Sequence, residues 1–149
     1  MAASAAAPVI LLVEDDPDHT ELVRRALAEV ARDVRLVALS RGHAALDYVF
    51  RRGEWAAPES SPRPDLVLLD LRLPGLDGCF VLREIKRAPE LRQVPVVMLT
   101  SSGSDRDMER AYAEHANSYL IKPNDYDRLV ILLGQACDYW LVRNRRQRL

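Results

Sequence analysis

Four segments of the sequence end in polar side chains that could together bind and transfer a phosphoryl group. Short apolar runs stop at Glu14-Asp15, at Asp70, at Thr100 and at Lys122. Carboxylates held close together repel one another, and a hard divalent cation bound by oxygen relieves that repulsion. A carboxylate can also attack phosphorus, and an ammonium and a hydroxyl can neutralise the transferred group. The residue types therefore predict a cation-dependent phosphoryl site.

Each of these residues also has an ordinary explanation when it is taken alone. Asp15 or the neighbouring Asp16 could cap the following helix, and Asp70 could open a turn. Thr100 could lie in a loop, and Lys122 could be a solvated surface lysine. These explanations need four coincidences at equivalent positions, so the joint pattern favours a site.

The elements that would position these side chains follow from the hydrophobic pattern. The apolar runs predict strands buried on both faces of a parallel sheet, over residues 9–13, 34–39, 66–69, 96–99 and 119–121. Amphipathic stretches between them predict helices over about residues 17–30, 42–52, 78–87, 105–114 and 125–143. The alternation indicates a doubly wound α/β fold with right-handed crossovers. Residues that follow the strands then meet at the carboxyl edge of the sheet.

Composition narrows the classes of protein to consider. The 149 residues suffice for one domain, and the formal net charge of −1 gives no attraction to nucleic acid or to an anionic membrane. We therefore expect neither as a partner. Cys79 and Cys137 lie far apart without metal-ligand spacing, which excludes a zinc module and a disulfide framework.

The two ends of the sequence carry no predicted chemistry. Residues 1–13 are apolar, but no basic residue precedes them and the run stops at Glu14, so it is too short for a membrane span. We expect a cytoplasmic protein with a flexible extension over residues 1–8 and one domain over residues 9–149. Basic residues near the C-terminus are interpreted as a solvated helix end: Arg143, Arg145, Arg146 and Arg148.

Taken together, these features resemble the receiver domains of two-component response regulators. The motifs ILLVEDDPDH, PDLVLLDLRLPGLDG, PVVMLTSS and SYLIKP stand in that family's order and near its spacing. The resemblance implies a (βα)5 flavodoxin-like sandwich with strand order 2-1-3-4-5, without an output domain. It also implies Mg²⁺ as cofactor, with Mn²⁺ able to substitute. The implied roles are phosphoacceptor for Asp70, direct metal ligand for Asp15, metal ligand through water for Glu14, main-chain metal ligand for the Arg72 carbonyl, and phosphoryl-binding groups for Thr100 and Lys122.

Three further positions matter in the resemblance. Tyr119 resembles the aromatic switch residue, which turns inward when the threonine moves toward the phosphoryl group; a half-buried strand aromatic is the alternative. The Lys122-Pro123 bond matches a position that is often cis in the family. Arg72 departs from the smaller residue that many receivers carry two positions after the phosphoacceptor. A guanidinium there could pair with Glu14 or screen the phosphate, which leaves the phosphoryl lifetime open.

A narrower resemblance connects the chain with small regulators of bacterial phytochrome histidine kinases. The segments GEWAAPESSPRPDLVLLDL, HANSYLIKP and DYWL carry it. It implies a histidine kinase, namely a bacteriophytochrome, as partner. The Pro- and Ser-rich segment 53–64 is interpreted as a surface loop without chemistry of its own.

Three other functions compete with that of a phosphorylated receiver. An aspartate-nucleophile phosphatase requires a second acid two residues after the nucleophile, where this sequence has Arg72. A flavodoxin-like binding module requires a phosphate-binding loop after the first strand, where three acids stand. A receiver-like module that binds partners without phosphorylation is the remaining alternative.

The last helix has more apolar residues than one core stripe needs, which predicts a homodimer through this region; a broad core face is the alternative. One face can hold Leu129, Leu132, Leu133, Ala136 and Trp140, and the others spread around the helix: Val130, Ile131, Cys137, Tyr139 and Leu141.

Overall fold

Five strands and five helices alternate along the chain in the computed structural model, which describes residues 6–146. The strands are β1 (Val9–Val13), β2 (Arg35–Leu39), β3 (Leu66–Leu69), β4 (Val96–Thr100) and β5 (Ser118–Ile121). The helices are α1 (Pro17–Val30), α2 (Gly42–Val49), α3 (Gly78–Arg87), α4 (Asp105–Ala113) and α5 (Tyr126–Cys137). All strand pairs are parallel in the order β2-β1-β3-β4-β5, which confirms the expected fold.

The core lies on both faces of the sheet, because successive strand residues point to opposite sides. Leu11, Val67 and Met98 pack with the helices α2, α3 and α4 on one face. Ile10, Leu68 and Leu99 pack with α1 and α5 on the other face. The strands β1, β3 and β4 are buried along their whole length, so the side chains that follow them start from a rigid frame.

Two helix ends differ from the expected ones by several residues, for identifiable reasons. Helix α2 ends at Val49 instead of residue 52, because Arg51 adopts a φ of 54°, which an α-helix cannot accommodate. The last helix is divided into α5 and a π-helical segment over Asp138–Arg143. The N-cap of α5 is Asp125, whose side chain accepts a hydrogen bond from the Asp127 backbone N–H.

The segment 53–64 is more closely attached to the core than a free surface loop. It begins with a 3-10 turn over Gly53–Trp55, and the Trp55 ring packs edge-on against Tyr48 of α2 with centroids 5.0 Å apart. The Tyr48 hydroxyl donates to the Pro62 carbonyl at 2.7 Å, and Ser61 is fully buried. Residues 56–59 are exposed, as expected of a surface loop, whereas Trp55, Ser61 and Pro64 at the two sides of this stretch are partly or fully covered by the domain.

Lysine is rare in this chain, and one of its two lysines closes the turn between α3 and β4. Lys86 Nζ donates to the carbonyls of Arg92 at 3.0 Å and Val94 at 2.8 Å. These two hydrogen bonds anchor the chain just before it enters β4. Burial lowers the pKa of Lys86 to about 8.

The expected extension over residues 1–8 lies mostly outside the described residues, which begin at residue 6. Residues 6–8 precede β1 without regular structure. Residues 147–149 of the expected domain also lie outside the described part. Within residues 6–146, no helix has the length and apolar character needed to cross a membrane.

Candidate functional site

Backbone hydrogen bonds continue each strand ladder by one residue and thereby fix the side chains at its end. The Glu14 N–H donates to the Leu39 carbonyl at 3.0 Å, and the Asp70 N–H donates to the Val13 carbonyl at 3.0 Å. The Lys122 N–H donates to Thr100, the last residue of β4, at 2.8 Å. The residues expected at the carboxyl edge are thus held there by the sheet.

Three carboxylates meet at this edge. Glu14, Asp15 and Asp70 each offer an oxygen, and these oxygens lie within 4.8 Å of one another. Glu14 and Asp70 are buried, whereas Asp15 is exposed at the mouth of the site. Glu14 Oε2 is buried and has no hydrogen-bond partner among the described residues. The donors are all hard oxygens, so the set fits a divalent cation such as Mg²⁺ or Mn²⁺.

Lys122 joins the two buried acids. Its Nζ donates to Asp70 Oδ2 at 2.9 Å and also contacts Glu14 Oε1. Burial and the neighbouring Asp70 raise the pKa of Glu14, with Lys122 opposing them. Burial also acts to raise the pKa of Asp70, but hydrogen bonding with Glu14 and Lys122 outweighs it and lowers that pKa. Asp70 is therefore the acid of this pair with the lowered pKa, which suits a nucleophile that must be ionised to attack.

The Lys122-Pro123 peptide bond is trans, like every other peptide bond among the described residues. The expectation of a cis bond at this position is therefore wrong. Trans is the more stable isomer before proline, by about 0.5–1 kcal/mol.

Thr100 and Tyr119 both contact Ser102 in the β4–α4 loop. Thr100 is buried, and its Oγ1 accepts a hydrogen bond from the Ser102 N–H at 3.3 Å. Tyr119 is half-buried, and its hydroxyl donates to the Ser102 carbonyl at 2.8 Å. The loop residue thus connects the two side chains expected to act together in a switch.

Arg72 does not pair with Glu14, contrary to one of the two alternatives considered for it. Its backbone N–H donates to Asp70 Oδ1 at 3.3 Å, while its guanidinium extends to Asp107 on α4, with Nη2 3.0 Å from Oδ2. Glu14 is already engaged by Lys122. The metal-ligand role of the Arg72 carbonyl stays a prediction.

Two residues next to the site were not predicted from the sequence: the basic residue His19 and the acidic residue Asp107. His19 Nδ1 lies 3.1 Å from Glu14 Oε1 and 3.4 Å from Lys122 Nζ. Asp107 accepts from the Ser102 hydroxyl at 2.6 Å in addition to Arg72. Only a weak signal exists for Asp107: the spacing Ser104-x-x-Asp107 is typical of a helix cap, and the Ser104 hydroxyl does accept from the Asp107 N–H.

Comparison with known proteins agrees with this geometry. A family model for the response regulator receiver domain matches residues 10–133. The probable methanogenesis regulatory protein FilR2 of Methanothrix harundinacea is 47% identical over 137 residues, or 92% of this chain and 86% of FilR2. Response regulator Rcp1 of Synechocystis is 41% identical over 133 residues, or 89% of this chain and 88% of Rcp1.

Two crystal structures resemble the whole fold. The Mn²⁺-bound form of Rcp1 has a TM-score of 0.84 at 39% identity and covers 95% of this chain and 99% of its own. The phosphorylated cyanobacterial phytochrome response regulator RcpA has a TM-score of 0.89 at 35% identity and covers 96% of this chain and 100% of its own. Related proteins with this fold therefore include one that binds a divalent cation and one that carries a phosphoryl group.

Proposed function

The chain belongs to the response regulator receiver domain family, and from this we propose that Asp70 accepts a phosphoryl group and that residues 9–149 act as one receiver unit. Receiver domains are phosphoacceptor switches. The observation that carries the proposal is the Lys122 Nζ, 2.9 Å from Asp70 Oδ2 within a cluster of three carboxylates. An ammonium at this distance neutralises an oxygen of a group transferred to Asp70.

The chemistry is a displacement at phosphorus. An Asp70 carboxylate oxygen forms a bond to the phosphorus of a phosphohistidine, the phosphorus–nitrogen bond breaks, and the leaving imidazole takes up a proton. Lys122 stabilises the charge on the transferred oxygens, and the Thr100 hydroxyl donates to one of them. Phosphatase chemistry is disfavoured, because the residue two positions after Asp70 is Arg72 and supplies no second acid.

Mg²⁺ is the proposed cofactor, with Mn²⁺ as a substitute. Asp15, Asp70 and the Arg72 carbonyl would hold it directly, and Glu14 would act through a bound water. The cation supplies positive charge that neutralises the phosphoryl oxygens. Support comes from the unpartnered Glu14 Oε2 and from the all-oxygen donor set.

The switch proposal concerns Thr100 and Tyr119. A phosphoryl group on Asp70 attracts the Thr100 hydroxyl, which disturbs the bond from Ser102 to Thr100 and with it the carbonyl that holds Tyr119. The ring is then free to turn inward, which repacks the surface of α4, β5 and α5. A local charge event thereby biases a two-state element.

The proposal is tested by the mass of the intact protein. We expect the wild-type chain to gain one phosphoryl group when it is incubated with Mg²⁺ and phosphoramidate, and none when EDTA replaces Mg²⁺. Hydroxylamine should remove the group, because it cleaves acyl phosphates. Failure to gain the group under every donor and metal condition would instead favour a module that binds partners without phosphorylation.

A phytochrome-linked histidine kinase is the proposed donor, since RcpA is described as a phytochrome response regulator. Such kinases use cytoplasmic ATP, so we also propose a cytoplasmic location. At equal concentrations, a phosphorylated bacteriophytochrome kinase should transfer its phosphoryl group to this chain faster than an unrelated histidine kinase. Equal rates would leave the phosphoacceptor proposal intact and contradict the choice of partner.

A homodimer through the last helix is proposed from its outward stripe. Ile131, Tyr139 and Val142 are 61%, 52% and 72% exposed, and their spacing places them on one face of the helical segment. The same apolar stripe on a second copy, related by a two-fold axis, is self-complementary. Cys137, one of the apolar residues that spread around the rest of this helix, is buried, and burial raises its pKa to about 11.

Sedimentation measures this association directly. Ile131→Glu should weaken dimerisation roughly a hundredfold or more, because the interface would bury an unpaired charge. Tyr112→Glu is a control, since Tyr112 is also a large hydrophobic residue that is half-exposed, but it lies on α4. A wild-type chain that is monomeric at high micromolar concentration, with and without a phosphoryl mimic, would refute the dimer.

A further inference from the structure

The most informative group outside the phosphoacceptor cluster is the buried carboxylate of Asp107. It lies in the first turn of α4 and its side chain is only 10% exposed. Oδ2 accepts two hydrogen bonds, from the Ser102 hydroxyl at 2.6 Å and from Arg72 Nη2 at 3.0 Å. The Ser102 hydroxyl and the charges of Arg72 and Arg110 lower the pKa of Asp107, so it is a fixed negative charge.

Arg72 lies in the loop that follows the phosphoacceptor, and its side chain contacts α4. Its N–H donates to Asp70 Oδ1, which holds its Cα next to the phosphoacceptor. Its guanidinium is nevertheless drawn toward Asp107 and is 77% exposed. The backbone of Arg72 is therefore fixed beside Asp70, while its guanidinium is bound by Asp107.

A second ion pair keeps α4 close to the same loop. Arg110 Nη2 donates to Asp77 Oδ2 at 2.8 Å, and Asp77 caps α3. Helix α4 thus contacts the β3–α3 loop through two oppositely oriented pairs, Asp107 with Arg72 and Arg110 with Asp77. Loss of the first pair leaves the second to hold the helix in place.

We propose that Asp107 is a positioning residue that sets the lifetime of the phosphoryl group on Asp70, because it competes with that group for the guanidinium of Arg72. The inference rests on the proposed function of Asp70. A phosphoryl group carries about −1.5 to −2 charge and three acceptor oxygens, so it is a strong rival to one carboxylate. Arginine binds either partner through a planar fork.

The competition matters because of how the acyl phosphate is hydrolysed. Water attacks the phosphorus, the bond to the Asp70 oxygen breaks, and the protons of the water pass to the phosphate oxygens or the solvent, so that inorganic phosphate leaves and the carboxylate is restored. The attacking water approaches in line with the bond that breaks. A guanidinium that rests on the phosphoryl oxygens obstructs this approach, whereas one held by Asp107 leaves it open. Asp107 therefore shortens the lifetime of the signal.

The test measures the half-life of the phosphorylated protein after removal of the donor. Asp107→Asn keeps the size of the side chain and removes its charge, and we expect a half-life roughly three- to tenfold longer. Asp105→Asn is the matched control, since Asp105 is an exposed acid in the same turn of α4. In an Arg72→Ala background, Asp107→Asn should have no effect, because the cation it releases is absent.

Three results would overturn the role of Asp107, and a different one would contradict the proposed function. An equal lengthening in the Arg72→Ala background, or the same lengthening in Ser102→Ala, would show that Asp107 acts through the loop and would overturn the proposal. An unchanged half-life in Asp107→Asn would overturn it as well. If Asp107→Asn does not fold, Asp107→Ser, which also removes the charge, replaces it. A wild-type chain that accepts no phosphoryl group would contradict the proposed function instead.

Discussion

An Asp70→Asn protein is expected to take up no phosphoryl group from phosphoramidate or from a phosphorylated kinase. The amide is almost the same size as the carboxylate, but it lacks the negative charge and the nucleophilic oxygen that attack phosphorus. The loss should be complete, since Asp70 is the one of the two buried acids beside Lys122 whose pKa is lowered, with Lys122 Nζ 2.9 Å from its Oδ2. Intact mass after incubation with Mg²⁺ measures it.

Two comparisons make this result specific to Asp70. Asp33→Asn, which removes an exposed acid remote from the cluster, should be phosphorylated like the wild-type chain. Thermal unfolding should show that Asp70→Asn is folded, because it removes one of three mutually repelling carboxylates. A phosphoryl group that still appears in Asp70→Asn would refute the assignment of the phosphoacceptor.

Gly78→Ala is expected to damage both stability and phosphorylation. Gly78 opens α3, and a Cβ added there would lie 2.1 Å from the Asp70 carbonyl oxygen and 2.9 Å from the Leu71 Cα. Both neighbours are backbone atoms, so they can give way only if the loop after β3 moves. We expect the free energy of unfolding in urea to fall by about 3 kcal/mol.

The matched control for this substitution is Gly103→Ala. A Cβ at Gly103 would meet Ile121 Cδ1 at 3.6 Å, which is an ordinary contact. Its unfolding free energy should stay within about 0.5 kcal/mol of the wild-type value. Equal losses in the two variants would mean that the close approach to Asp70 is not what requires glycine at position 78.

The sequence was sufficient for the frame of the site, because the frame depends on local pattern and on parallel pairing. Apolar runs marked the strands, and parallel strands bring the residues that follow them to one edge. Glu14, Asp70 and Lys122 met there as expected. Their mutual hydrogen bonds needed no information beyond their positions at the ends of neighbouring strands.

The direction of the Arg72 side chain could not be obtained in this way. Its choice between Glu14 and Asp107 depends on where α4 packs relative to the loop after β3, and residues 72 and 107 are far apart in the chain. The helix pattern also could not decide which way Cys137 faces, because the side chains that face α1 and the sheet depend on how α5 is rotated. Such tertiary choices leave no mark in the spacing of residues.

The scarcity of lysine has a practical consequence for chemical labelling. The sequence contains two lysines, Lys86 and Lys122, among 21 basic residues. An amine-acylating reagent reacts only with the neutral form of an amine. Burial lowers the pKa of Lys86 to about 8. For Lys122, the hydrogen bonds and charges of Glu14 and Asp70 outweigh burial and raise the pKa. At mildly alkaline pH, Lys86 is the more reactive ε-amine. Acylation of Lys122 therefore reports directly when its contacts with Glu14 and Asp70 are broken.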